Sequence, residues 1–222
     1  MLSTETIVPY ATTTAKVHAT DDTDLTGAVL LAYRDVEQQR RSPRTTATAD
    51  TFALAGPVDD VVTRVARYML DWYDGRWPDR TAGELPCDVG NATEVCIRRF
   101  KAGAHVRNSG VGHGQAGNGS LMRCIPTALF CACPSVRPSG WDADHVQVRI
   151  EAESMAISAI THDGLRCTIA CAAYNTMVHA LVHGRTPADA WQAAKDAAHR
   201  LRGTANFNVS SLHLSSPALS ST

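Results

Sequence analysis

The chain has 222 residues, with 21 Lys or Arg against 22 Asp or Glu, the size of one domain with a substantial core and no electrostatic footprint for a nucleic acid. No apolar run reaches the length of a membrane span, and the N-terminus has neither a basic segment nor a long apolar core. Seven cysteines, an odd number without a leader, are expected to be reduced thiols in an intracellular, cytoplasmic protein.

Residues 1–18 are Thr/Ala-rich without periodicity and read as an extended lead-in. Thr20-Asp21-Asp22-Thr23-Asp24 then stands directly before Leu25, Ala28, Val29, Ala32, Tyr33 and Val36, whose spacing predicts a helix from about Asp22 to Arg41. One reading of the acidic cluster is capping, with Asp21 as N-cap and Asp24 three residues on, both favoured by the helix dipole. The other is a hard-cation site. Neighbouring side chains diverge by about 100° inside a helix but can converge at its entry, and hydroxyl and carboxylate oxygens suit Mg²⁺, Mn²⁺ or Ca²⁺.

Residues 42–57 read as a Thr/Pro/Gly loop, followed by a second helix from Val58 with Val61, Val62, Val65, Met69, Leu70 and Tyr73 on one face and Gly75 past its end. Trp72, Tyr73 and Trp77 read as core aromatics. Asp88-Val-Gly-Asn-Ala-Thr is a turn and cap opening a short helix to Phe100. Residues 103–120 form a Gly-rich polar loop carrying His105, His113, Asn108 and Asn118, long enough to be functional or disordered. The loop ends in Gly117-Asn118-Gly119-Ser120 ahead of an expected helix, where free backbone N–H groups can meet an anion such as phosphate. A Gly-Asn-Gly is equally an ordinary turn.

After a Pro/Ser loop, helices are predicted over 143–160, 165–183 and, with Thr186 as N-cap and Pro187 at the first position, to Gly203. The stripe Val146, Ile150, Glu153, Ile157 and Ile160 marks the first of these. His162, next to Asp163-Gly164, reads on its own as a cation at a helix C-terminus. Cys131-x-Cys133 and Cys167-x₃-Cys171 lack zinc-site spacing and read as buried apolar residues. No strand pattern occurs, and 204–222 is a Ser-rich tail expected to be frayed or disordered. The expected fold class is all-α.

Together, Ala19-Thr-Asp-Asp-Thr-Asp-Leu-Thr, Asp88-Val-Gly90, Gly117-Asn-Gly-Ser-Leu-Met-Arg-Cys-Ile-Pro and Ile160-Thr-His162 resemble, in order, elements of the ADP-ribosylglycohydrolase family. The resemblance covers roughly residues 19–200. It implies a single-domain orthogonal helical bundle over 19–203, holding two Mg²⁺ (or Mn²⁺) ions in a cleft and releasing ADP-ribose from a modified protein or a small ADP-ribosyl conjugate. By the same resemblance Thr20, Asp21 and Asp22 match metal ligands, and Asp88 an acid near the scissile bond or attacking water. Asn118, Gly119, Ser120 and Met122 match the diphosphate and ribose subsite, and His162 a contact to the ADP portion.

The family's opening Gly-Asp-x-x-Gly helix and closing Asp-x-Asp-Thr element have no counterpart in this sequence, and Asp50-Thr51 is an isolated fragment. The expectation is an enzyme of this family truncated at both ends, its ions left largely hydrated by three ligand residues. Apolar faces uncovered by the absent helices would favour self-association. A non-catalytic ADP-ribose-binding module and an inactive remnant are the competing expectations.

Overall fold

In a computed structural model of the chain, residues 20–41, 58–78, 80–86, 88–112, 114–137 and 140–203 are described. The predicted lead-in over 1–18, the loop over 42–57, Cys87, His113 and the tail over 204–222 lie outside the described residues. Among the described residues eight α-helices follow in order: α1 (Asp21–Arg41), α2 (Val58–Tyr73), α3 (Asn91–Lys101), α4 (Gly119–Met122), α5 (Pro126–Ala132), α6 (Ala143–Ala159), α7 (Leu165–Val182) and α8 (Pro187–Gly203). Among the described residues there is no strand, so the expected all-α class holds.

The helices stack in the sequence α1, α2, α6, α7, α8, with α5 filling the angle between α1, α6 and α7. The predicted apolar faces make the main core: Leu25, Val29, Tyr33 and Val36 of α1 meet Val61, Val62, Val65, Met69 and Trp72 of α2, closed by Ile97, Ala156, Ile157 and Ile160. Burial of this apolar area is the main stabilising term. Trp72 and Tyr73 are core aromatics as expected, and Trp77 is packed against the core at its edge. The left-handed Gly75 (φ 73°) stops the chain after α2, where a Cβ would lie 2.5 Å from the Thr81 carbonyl oxygen.

Helix α6 departs from the one-stripe expectation. Almost every residue from Arg149 to Ser158 is buried, because α2, α5 and α7 surround it. Its interior charges are paired: Arg149 Nε donates to Glu153 Oε1 at 2.9 Å, and the Tyr33 hydroxyl donates to Glu153 Oε2 at 2.7 Å. Helix α8 begins as predicted, with Thr186 Oγ1 accepting from the Asp189 N–H at 3.2 Å, and buries an alanine stripe, Ala190, Ala194 and Ala197. Cys96, Cys124, Cys131, Cys167 and Cys171 are buried thiols and Cys133 is exposed. No helix among the described residues is long and apolar enough to cross a membrane.

Two local expectations change. Asp24 N–H bonds back to the Thr20 carbonyl at 3.1 Å and the helix begins at Asp21, so Thr20 occupies the cap position and Asp21 is already helical. The helix expected after Gly119, which Pro126 could either join or kink, is divided in two. Helix α4 is one turn, and Pro126 opens α5 as its first residue, since proline has no N–H to continue the earlier ladder.

Candidate functional site

The start of α1, the 88–90 loop and the 117–119 loop meet at one edge of the bundle. Asp21 Oδ2 accepts from the Gly90 N–H at 3.3 Å. Thr93, on the first turn of α3, places Oγ1 within 3.9 Å of where a Cβ on either Gly90 or Gly119 would stand. Small residues at these positions let three backbone segments approach around one hydroxyl. Asp24 lies on another side, its Oδ2 accepting from Trp72 Nε1 at 2.9 Å, which ties α1 to α2 and gives this carboxylate a partner of its own.

Asp22 carries the electrostatic signature of the cluster. Burial, and then the neighbouring Asp21 and Asp88 carboxylates, hold its carboxyl above the ordinary value, with Arg123 pulling the other way. Asp88, distant in sequence, is therefore close enough to the adjacent Asp21 and Asp22 to repel Asp22. Their oxygens, with the Thr20 hydroxyl, are the donor chemistry of a hard divalent cation. Among the described residues, however, no three His, Cys, Asp or Glu side chains are grouped so as to hold a metal ion. The donor types fit such an ion, and water would have to fill most of its shell.

Behind the 117–119 loop stands a residue given no role by sequence reasoning. Arg123 is fully buried; its Nη1 donates to the Gly119 carbonyl at 3.0 Å and its Nη2 to Thr161 Oγ1 at 2.6 Å. Thr161 Oγ1 in turn lies 2.7 Å from His162 Nδ1. The imidazole packs under the loop, so that a Cβ on Gly117 would stand 3.2 Å from Nε2 and one on Gly119 3.3 Å from Cε1. A charged residue set between Leu121-Met122 and Cys124-Ile125 was the available signal for Arg123.

Ser120 is buried, and its hydroxyl accepts from Ser158 Oγ at 2.9 Å, so it faces the interior while Met122 is exposed. Asn118 is exposed and Gly119 half-buried at the cleft edge. One turn of helix has little macrodipole, so any anion here would meet the loop backbone, not a helix terminus. The rest of the Gly-rich segment is tied down by Asp163, whose Oδ1 accepts from the Gly112 N–H at 2.6 Å, and by Arg99, whose Nη1 donates to the Gly110 carbonyl at 2.5 Å. Between this segment and the start of α7 lies a cavity of about 340 Å³, lined by Gly112, Gln115, Gly164 and Arg166 among others.

The reading of His162 as a helix-terminal cation does not survive. Burial first, and then the Arg123 guanidinium, push its imidazolium down to about 4 from the ordinary 6.5, so it is neutral at physiological pH. The unfolded chain then binds more protons between those values. The stability this group contributes is complete above pH 6.5 and is lost as pH falls toward 4. Urea midpoints at neutral pH and pH 5 should therefore differ less in His162→Gln than in the wild type; an unchanged difference would contradict the assignment.

A family model described as ADP-ribosylglycohydrolase matches residues 3–218. The chain belongs to the ADP-ribosylglycohydrolase family. A protein of Rhodospirillum rubrum, ADP-ribosyl-[dinitrogen reductase] glycohydrolase, is 34% identical over 116 residues, covering 52% of this chain. The match spans 34% of that relative's own length. No solved structure matches the chain. Within this chain the predicted residues divide: Asp21, Asp22 and Asp88, with Thr20 next to them in sequence, make the acidic edge, while Asn118, Gly119 and His162 belong to the loop side.

Proposed function

We propose that the chain acts as an ADP-ribosyl hydrolase, releasing ADP-ribose from a modified protein side chain or a small ADP-ribosyl conjugate. The observation that carries this reading is the meeting, at Gly90 and Thr93, of the Asp21 carboxylate, which with Asp88 acts on Asp22, and the Gly119 end of the 117–119 loop. An acidic edge beside a neutral, N–H-rich loop suits a substrate with a diphosphate at one end and a glycosidic bond at the other. The diphosphate would lie along the loop at Asn118 and Gly119, with His162 beneath and the nucleoside toward the adjoining cavity. Met122 would border the ribose next to it, and Ser120 would contribute only backbone.

In the reaction, a water oxygen bonds to the anomeric carbon as the bond to the acceptor breaks, through an oxocarbenium-like state. The acceptor leaves with a proton and the water gives one up. Asp88, exposed beside the acidic edge, is the residue proposed to hold that water or take its proton. Asp21 and Asp22, with the Thr20 hydroxyl, are the proposed ligands for Mg²⁺ or Mn²⁺. When bound, such an ion would orient the ribose hydroxyls and lower the pKa of the water. Burial first, and then the Asp21 and Asp88 charges, raise the Asp22 carboxyl, and a bound cation would offset the repulsion among the three.

Incubation with an ADP-ribosylated arginine conjugate and Mg²⁺ should release ADP-ribose. Asp21→Asn or Asp22→Asn should reduce the rate by about a hundredfold or more, as loss of a catalytic-site charge typically does. Failure of cooperatively folded wild type to turn over at high Mg²⁺ would refute the catalytic reading. A second reading, a non-catalytic ADP-ribose-binding module, is favoured by the lack of a three-ligand group among the described residues. It predicts binding of ADP-ribose that a chelator leaves unchanged.

A further inference from the structure

Thr161 is a fully buried hydroxyl between a permanent donor and an imidazole. Arg123 Nη2 can only donate, so Thr161 Oγ1 accepts that bond at 2.6 Å. The hydroxyl proton then needs an acceptor of its own, because an unpaired buried O–H is costly. Its other hydrogen-bond partner among the described residues is His162 Nδ1 at 2.7 Å. If Thr161 donates to Nδ1, that nitrogen carries no proton, and in the neutral ring the proton sits on Nε2. Nε2 makes no hydrogen bond to any described residue, and it faces the loop at Gly117.

We infer that Thr161, itself oriented by Arg123, is a positioning residue that fixes His162 as the neutral Nε2–H tautomer, presenting one hydrogen-bond donor toward a ligand on the Gly117–Gly119 loop. The logic is that of a histidine whose far nitrogen is set by the partner of the near one. The ligand's part rests on the ADP-ribose reading, in which an oxygen acceptor of the substrate would meet this donor; the tautomer itself does not. A hydroxyl at position 161 thereby decides whether the cleft offers a donor or an acceptor at Nε2.

Long-range ¹H–¹⁵N correlation spectra of the uniformly labelled protein at neutral pH test this without any ligand, with His162→Gln used to assign the ring. The wild type should show a protonated, pyrrole-type Nε2 and an unprotonated, pyridine-type Nδ1. Thr161→Ser should keep that pattern, and Thr161→Val should shift both nitrogens toward averaged values. A wild-type ring protonated at Nδ1, or Thr161→Val shifts identical to wild type, would overturn the inference. Since the wild-type spectrum decides the tautomer, an unfolded valine variant would not leave the question open. Titration with ADP-ribose separates the two claims: about tenfold weaker binding in Thr161→Val, restored in Thr161→Ser, is the loss expected for one hydrogen bond. The predicted tautomer with no ADP-ribose binding at all would remove the functional reading and leave the positioning role standing.

Discussion

Glu153→Ala is expected to cost about 3–5 kcal/mol, because it leaves the Arg149 cation buried without its counter-charge. Glu153 is 1% and Arg149 3% exposed, and Arg149 Nη2 already lacks a hydrogen-bond partner among the described residues. What remains around the guanidinium is aromatic, with Phe130 5.2 Å and Trp141 5.8 Å from its centre, and ring faces do not replace a carboxylate. The Tyr33 hydroxyl would also lose its better acceptor. Burial and then the Glu153 charge hold that hydroxyl well above its ordinary titration range, which keeps it a donor. A loss of this size is a large share of the roughly 5–15 kcal/mol that stabilises a typical domain. Replacing both partners, as in Arg149→Met with Glu153→Leu, should recover most of it, since a matched apolar pair avoids the desolvation cost. Urea midpoints at constant m-value measure both. A single variant within about 0.5 kcal/mol of wild type, or a double variant no better than the single, would sink the account of this pair.

Arg123→Met is expected to separate stability from site geometry. Among the described residues the buried guanidinium has no partner on Nε and no carboxylate bonded to it, so its removal relieves a desolvation cost while deleting two hydrogen bonds. These effects oppose each other, and the unfolding midpoint should move modestly. The loop should respond more strongly, because Gly119 loses the donor on its carbonyl and Thr161 the donor that orients it. A binding penalty of about 2–3 kcal/mol for ADP-ribose corresponds to roughly 30- to 150-fold. Removing the Arg123 charge, which pulls Asp22 down, should also let its carboxyl titrate higher, shifting the onset of any Mg²⁺ effect toward higher pH. Arg123→Lys keeps a charge but not the two-pronged fork, and should fall between. Equal ADP-ribose affinity in the methionine variant and wild type would show that the loop does not depend on this residue.

The helices were legible because their apolar spacing is regular. Leu25 to Val36 and Val61 to Tyr73 predict faces that become the main core, and Thr186-Pro187 places the start of α8. The stripe of α6, Glu153 included, was legible, but the burial of its other faces was not, because Arg149 looks like a surface residue until it pairs with Glu153, which also takes the hydroxyl of the distant Tyr33. The acidic edge was legible through Thr20–Asp22, but the sequence does not say which of Asp21, Asp22 and Asp24 turns away. Trp72 decides that by taking Asp24. His162 was legible as a residue and misread as a charge, since its neutrality comes from burial and from Arg123, neither of which is a local property. Asp163 and Arg99, which pin the Gly-rich segment, act on backbone atoms and leave no pattern in composition.

The claim on which the rest depends is that the cleft between the acidic edge and the Gly117–Gly119 loop receives ADP-ribose. Isothermal titration of the full chain with ADP-ribose in the presence of Mg²⁺ tests it most directly. Saturable binding of one molecule per chain, weakened in Arg123→Met and in His162→Gln, is the predicted result. No heat of binding at millimolar ADP-ribose, from protein that melts cooperatively, would contradict it.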